Sequence, residues 1–295
     1  MEPLTAINPN LVQDITKMSI KSNTLNFSDD GIESAWEELN PYRFENGKEV
    51  VKEDPYKREE AKSLTMRYWQ GLTNFENIGG NPETRVTNDE TSFVEGNWIT
   101  PYLIATGYPS QGKMRDNYWE MVKMLQKAHT VFIVNFMNVS EIGGYGGWFF
   151  DSNGMDDKKY VVSVLSPTDQ PIYFYHYPNW KDHGEGDRKV IRQIIEQLYD
   201  ATSPLKQPLI IVNCRAGVGR TGTFANLFHF YKKIKESKKL LKDDFSIKAI
   251  VENVKAFRGE RGDQQFVQSK AQFFMLCRMV EYYFNEAADK QTTEV

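Results

Sequence analysis

The 295-residue chain has only two cysteines, Cys214 and Cys277, far apart and with no pairing pattern. That excludes a disulfide scaffold and points to a reducing, cytoplasmic setting in which a thiol can stay reactive. Histidine is scarce as well. His129, His176, His183 and His229 are dispersed and form no metal-ligand spacing, so no metal and no cofactor are implied. Net charge is only −4, which argues against nucleic acid as a general partner. No apolar run approaches the ~20 residues of a membrane span, and the first residues form no apolar secretory core. No integral membrane span is expected, and no internal repeat is evident. Apolar residues make up 40% of the chain, enough for a sizeable core.

Hydrophobic patterning along the chain alternates between strand and helix periods. Residues 1–45 are polar and read as an N-terminal extension, either partly ordered or a packing helix, with Ile32 to Leu39 weakly amphipathic. The charged stretch Lys48 to Lys62 predicts an exposed helix. Met114 to Ala128 reads as a helix, and Thr130–Phe136, Tyr160–Leu165 and Ile172–Tyr177 read as strands. Asp187 to Tyr199 carries a helical stripe of Val190, Ile191, Ile194, Ile195 and Leu198. A strand over Leu209–Val212 precedes a helix from Thr221, and Ile247 to Phe257 and Gln265 to Phe284 close the pattern as helices. Strands mixed with long C-terminal helices predict an α/β fold, a mixed twisted central sheet flanked by helices. The basic run Lys232 to Lys239 reads as a solvated helix end.

The chemistry concentrates in Ile210-Ile211-Val212-Asn213-Cys214-Arg215-Ala216-Gly217-Val218-Gly219-Arg220-Thr221. An apolar strand runs into a cysteine, two glycines follow, and an arginine and a hydroxyl residue open a helix. A thiolate at Cys214 supplies a nucleophile. Backbone N–H groups of Arg215, Ala216, Gly217, Val218 and Gly219, at a helix N-terminus, suit the non-bridging oxygens of a phosphate ester. Arg220 can grip two of those oxygens with its planar fork. The helix dipole and Arg220 both favour the thiolate form.

This stretch resembles the His-Cys-x5-Arg-Ser/Thr motif of the cysteine-based protein tyrosine phosphatases. The resemblance implies a nucleophile at Cys214, binding and charge stabilisation by Arg220, and help from Thr221 for the departing thiolate. Asn213 stands where that family usually has histidine. A side-chain amide cannot supply an imidazole's interactions, which predicts slower or more alkaline catalysis rather than its loss. Tyr177-Pro178-Asn179-Trp180-Lys181-Asp182-His183-Gly184 is similar to the family's mobile Trp-Pro-Asp loop, with Lys181 in place of proline. A tyrosyl oxygen leaves poorly unless protonated, so a general acid is needed. The resemblance gives that role to Asp182 beside Trp180.

Val267-Gln268-Ser269-Lys270-Ala271-Gln272-Phe273 resembles the stretch whose glutamines position the hydrolytic water. Gln268 and Gln272, four apart, would share a helical face. Asn74-Phe75-Glu76-Asn77-Ile78 partly matches the loop whose aromatic flanks the phosphotyrosine ring, which makes Phe75 a candidate wall of a deep cleft. Glu141 falls where the family has an acidic partner for the catalytic arginine. The scaffold blocks Phe93–Ile99, Pro101–Pro109 and Asp116–Val122 are degraded versions of the family's own. The resemblance implies a single phosphatase domain over 46–288, a polar tail at 289–295, and phosphotyrosine-containing proteins as substrates. Two other readings stay open. One is a phosphoinositide or inositol phosphate phosphatase, which more basic loop residues than Arg215 would favour. The other is a phosphotyrosine-binding module with weakened catalysis, prompted by Asn213 and Lys181.

Overall fold

The structure, a computed structural model, describes residues 24–40, 80–86, 94–109, 112–138, 141, 161–165 and 171–293. Among them are strands β1 (Gly96–Thr100), β2 (Leu103–Gly107), β3 (Thr130–Asn135), β4 (Val161–Leu165), β5 (Ile172–His176) and β6 (Pro208–Cys214). They form one six-stranded sheet in the order β1-β2-β6-β3-β5-β4. The inner strands β2, β6, β3 and β5 run parallel, while β1 and β4 pair antiparallel at the two edges. The mixed α/β sheet expected from the sequence is therefore present.

β6 lies between β2 and β3, and its continuous run Leu209–Val212 is what a strand covered on both faces requires. Leu209 and Ile211 point to one face with Ile104, Val131 and Ile133. Helix α2 (Lys113–Gln126) covers that face through Tyr118, Met121, Val122 and Leu125. Ile210, Val212 and Cys214 point to the other face with Leu103, Ala105, Phe132 and Val134. There α3 (Arg188–Thr202) presents the stripe Val190, Ile191, Ile194, Ile195 and Leu198, and Asp187 caps it by accepting from the N–H groups of Lys189 and Val190. Helix α4 (Gly219–Glu236) is buried on nearly all sides, which explains why its sequence shows no clear amphipathic stripe.

The last two helices are α5 (Ile247–Arg261) and α6 (Lys270–Thr293). The single helix expected over Gln265 to Phe284 does not begin until Lys270, and residues 262–269 form a loop instead. The backbone groups of that loop are committed elsewhere. Buried Arg258 donates to the carbonyls of Phe266 (3.1 Å) and Val267 (3.3 Å), and Val267 sits at φ +69°. At the other end the helix runs through Asp289 to Thr293, which the sequence assigned to a tail, and Lys290 pairs with Glu286 one turn back at 3.1 Å.

Helix α1 (Asp29–Leu39) buries Ile32, Ala35, Trp36 and Leu39. Its Trp36 ring meets Phe273 of α6 at 5.8 Å, and Arg258 donates to Leu39 O at 2.7 Å. Leu25 exchanges two hydrogen bonds with the Asn285 amide, at 2.7 and 3.0 Å. For residues 24–40 the packing-helix alternative is the one realised. The helix expected over Lys48 to Lys62 lies outside the described residues. No helix among the described residues is long and apolar enough to cross a membrane.

Candidate active site

Parallel strands send their carboxyl ends to one edge of the sheet, and in open α/β sheets that edge is where ligands bind. Here the registers put Gly107 beside Cys214, Asn135 beside Asn213 and His176 beside Asn135. The chain leaving each of these strands therefore gathers over one point.

Cys214 is the last residue of β6 and α4 begins five residues later, at Gly219. The turn between them closes because Gly217 adopts φ +69° and lies against β2, where an added Cβ would sit 2.4 Å from the Thr106 carbonyl. Its carbonyls are held from behind. Buried Arg261 donates to Gly217 O at 3.2 Å and to Ala216 O at 3.5 Å, while Tyr108 N–H donates to Arg215 O at 3.2 Å. Arg261 is itself fixed by Asn97 (2.8 Å) and Glu95 (3.5 Å). A turn held by its carbonyls at the start of a helix is the arrangement that presents N–H groups to an anion. Arg215 is exposed on the turn, whereas Cys214 is almost wholly buried. The other thiol, Cys277, is buried in α6, and that burial pushes it well above the usual thiol range.

Arg220 is fully buried on the first turn of α4. Its Nη1 donates to Phe136 O (2.8 Å), Trp180 O (3.0 Å) and Glu141 Oε2 (2.9 Å), and its Nη2 donates to Glu141 Oε1 (2.9 Å). Glu141 thus pairs with the end of the guanidinium. The parallel Nε–Nη2 edge remains, where Nε makes no hydrogen bond among the described residues and Asp182 Oδ1 stands 3.5 Å from Nη2. Burial opposes charge on Arg220, but Glu141, Cys214 and Asp182 outweigh it and hold the guanidinium above its ordinary value. Burial likewise opposes charge on Glu141, yet Arg220 and the Asn138 N–H hold its carboxyl below the usual range. Thr221 follows, fully buried, its hydroxyl making no hydrogen bond among the described residues.

The chain between β5 and α3 is anchored by Trp180, which is fully buried. Its Nε1–H donates to Gly184 O at 2.9 Å, and its ring meets Phe136 edge-on at 5.0 Å. A Cβ on Gly186 would lie 3.0 Å from that indole. Between these supports Asp182 is exposed and stands 3.5 Å from Arg220 Nη2, and His183 adopts a left-handed φ of +57°.

Gln268 and Gln272 do come together, though not on a shared helical face. Gln268 lies in the loop before α6, and its N–H donates to Gln272 Oε1 at 2.9 Å. Both abut the start of α4, where a Cβ on Gly219 would lie 2.6 Å from Gln268 Oε1 and 3.1 Å from Gln272 Nε2. Gln272 Nε2 is buried and makes no hydrogen bond among the described residues. Of the expected site residues, Phe75 lies outside the described residues.

Sequence reasoning singled out Asn213 but missed the row of groups it belongs to. Thr106, Asn213, Asn135 and His176 form a fully buried polar row across four adjacent strands, one residue before Cys214 in register. Asn135 Oδ1 accepts from Met137 N–H at 3.0 Å, and His176 Nε2 lies 2.7 Å from Met137 O. These bonds pin the chain that carries Phe136 O to Arg220. The clue was the polar ends of β3 and β5, in otherwise apolar strands. Neither atom of the Asn213 amide makes a hydrogen bond among the described residues.

Burial pushes His176 down to about 4, against the Met137 carbonyl bond that raises it. The imidazole therefore stays neutral in the fold while the unfolded chain binds a proton below about 6.5. The folded pKa is the lower of the two, so stability must fall as pH drops through that window. Between pH 7 and 5 the His176 contribution should be about 1–2 kcal/mol. Urea unfolding of wild type and His176→Gln at both pH values checks this, and the variant should lose that part of the slope.

The family model for protein-tyrosine phosphatases matches residues 152–282. A protein-tyrosine-phosphatase, PTP1, of Arabidopsis thaliana is 28% identical over 195 residues, covering 58% of this chain and 54% of its own. Tyrosine-protein phosphatase 99A of Drosophila melanogaster is 39% identical over 69 residues, 23% of this chain and 5% of its own. The human receptor-type tyrosine-protein phosphatase H is 25% identical over 192 residues, 51% of this chain and 17% of its own. The chain thus spans about half the length of the plant relative and a small part of the other two.

Proposed function

We propose that this chain, which belongs to the protein-tyrosine phosphatase family, hydrolyses phosphotyrosine on proteins through a cysteinyl-phosphate intermediate. The observation that carries the proposal is the open edge of Arg220. Glu141, Phe136 O and Trp180 O occupy its other hydrogens and leave a parallel Nε–Nη2 fork directed at the site where Asp182 stands. That fork fits two oxygens of one phosphoryl group, and the turn 215–219 offers N–H groups for the rest.

In the first step the Cys214 thiolate attacks phosphorus in line, an S–P bond forms, and the P–O bond to the tyrosyl oxygen breaks. Asp182 gives that oxygen its proton, so neutral tyrosine leaves. Arg220 and the turn hold the equatorial oxygens throughout, and such electrostatic stabilisation dominates phosphoryl transfer. In the second step a water beside Gln268 and Gln272 attacks phosphorus, and the Asp182 carboxylate takes its proton. The S–P bond breaks to release inorganic phosphate and the thiolate, which the Thr221 hydroxyl stabilises. Residues 46–288 would form the catalytic unit, braced by residues 24–40, in a cytoplasmic setting.

The test compares a phosphotyrosine peptide, the phosphoserine peptide of the same sequence and a short-chain phosphoinositide, each followed by acid quench and mass spectrometry. Turnover of phosphotyrosine at least ~100-fold faster than the other two, with phosphate trapped on Cys214, is expected. Preference for the phosphoinositide would overturn the substrate class. Tight phosphopeptide binding without turnover would make the chain a binding module.

A further inference from the structure

The loop carrying Asp182 has one support whose purpose the chemistry above leaves unexplained. Ser269 lies across the cleft, in the chain that bears Gln268, immediately before α6. Its Oγ–H donates to the backbone carbonyl of His183 at 2.7 Å, and the same Oγ accepts from Gln272 N–H at 3.2 Å. One hydroxyl thus caps α6 and grips the residue next to Asp182. The remaining ties of that loop run to its own flanks or to its base. Trp180 bonds Gly184, Lys181 O accepts from Gly184 N–H, Tyr177 OH accepts from Asp187 N–H, and Arg220 takes Trp180 O. Among the bonds described, Ser269 to His183 O is the one that joins the tip of the loop to the far wall of the site.

The gripped residue is also the strained one. His183 holds φ +57° without being glycine, a conformation that costs free energy and persists only when surroundings enforce it. Left-handed backbone at 183 turns the chain at the tip, and the Ser269 bond holds it there. With Lys181 in place of the proline that would stiffen the loop, the φ restraint at that position is gone. An external tie can take over that role.

We propose that Ser269 is a positioning residue for proton transfer: by donating to His183 O it latches the Asp182 loop against the glutamine segment and keeps Asp182 over the phosphate turn. This rests on the phosphatase reading above. The latch acts through Asp182 alone, so in the first step it matters in proportion to how badly the leaving group needs a proton.

Three substitutions separate the two duties of the hydroxyl. Ser269→Thr keeps both the cap and the donor. Ser269→Asp keeps a helix-capping acceptor but has no proton to give the carbonyl. Ser269→Ala loses both. Rates would be measured with a series of aryl phosphates whose phenols range from strongly to weakly acidic, alongside Asp182→Asn and the Asp182→Asn/Ser269→Asp double variant. Ser269→Asp and Ser269→Ala should lower kcat/KM, which reports the first step only, about tenfold for the least acidic phenols and less than twofold for the most acidic. Ser269→Thr should restore wild-type rates, and Ser269→Asp should add no further loss on Asp182→Asn.

A loss uniform across the phenols would overturn the latch. So would wild-type behaviour of Ser269→Asp beside a defective Ser269→Ala, which would leave Ser269 a helix cap only. Thermal unfolding of each variant excludes loss through misfolding. Absence of turnover by wild type is a different failure, since it overturns the phosphatase reading and the latch falls with it.

Discussion

Cys214→Ser is expected to lower turnover of a phosphotyrosine peptide by on the order of 10⁵-fold or more while leaving peptide binding within a few-fold of wild type. The substitution exchanges a sulfur for an oxygen in a nearly buried position at the end of β6. A serine hydroxyl at neutral pH is protonated and needs a base to become a nucleophile. The groups gathered around Cys214 do not offer one. Arg220 is a cation, Thr221 is a hydroxyl, and Asp182 faces the leaving-group side beside Arg220. The phosphate grip is spared, because it comes from the Nε–Nη2 edge of Arg220 and the N–H groups of the turn. Initial rates and calorimetric titration with the phosphopeptide check both halves of the expectation. Retention of more than a hundredth of the wild-type rate would remove Cys214 from the nucleophile's role. Cys277 could not replace it, since burial in α6 holds that thiol well above the usual thiol range.

The site was legible where one residue does one chemical job at a fixed spacing. Cys214, Arg220 and Thr221 are tied by the strand, turn and helix that their own segment encodes, so the segment announces itself. Asp182 and Glu141 were candidates only through the family resemblance, Asp182 by its place beside Trp180 and Glu141 by its place in the loop after the strand ending at Phe136. The supports were not legible. Arg261 reaches the turn from the end of α5, and nothing in its local sequence distinguishes a buried arginine from a solvated one at a helix C-terminus. His176 and Asn135 look like the polar ends of two strands until the register sets them side by side under Met137. The glutamines were found for a reason the fold replaces. Arg258 takes the carbonyls of Phe266 and Val267, which delays α6 to Lys270, so a cap joins Gln268 to Gln272 rather than a helical turn. The expected β3 and β5 each ran one residue past the observed end, whereas the expected Leu209–Val212 fell short of β6 at both ends. The polar residues Asn213 and Cys214 extend β6 because β2 and β3 offer partners at that level, which no local propensity encodes.

Arg220→Lys tests the remaining claim, that one guanidinium serves structure and substrate through different edges. Lysine keeps the charge but offers a single nitrogen in place of a planar fork. It can stay with Glu141 or turn to the phosphate, and either choice empties the other. The expected result is a fall in kcat/KM of about 10³-fold, in the range for losing a fixed donor to transition-state charge. KM should rise, and competitive inhibition by inorganic phosphate should weaken at least ~10-fold. Stability should fall as well, by about 1–3 kcal/mol, because Phe136 O, Trp180 O and one oxygen of Glu141 lose their donor in a buried place. Glu141→Gln separates the two effects. Its amide oxygen can still accept from Arg220 Nη1 and the Asn138 N–H, while its NH2 group cannot accept from Nη2; the Nε–Nη2 edge keeps its hydrogens for substrate while the pairing charge is lost. That variant should lower kcat/KM only about tenfold and leave phosphate inhibition nearly intact. If Glu141→Gln instead weakened phosphate inhibition as much as Arg220→Lys does, the two edges of Arg220 would not be independent. Glu141 would then set the orientation of the fork itself, and the buried ion pair would belong to substrate binding rather than to the scaffold beneath it.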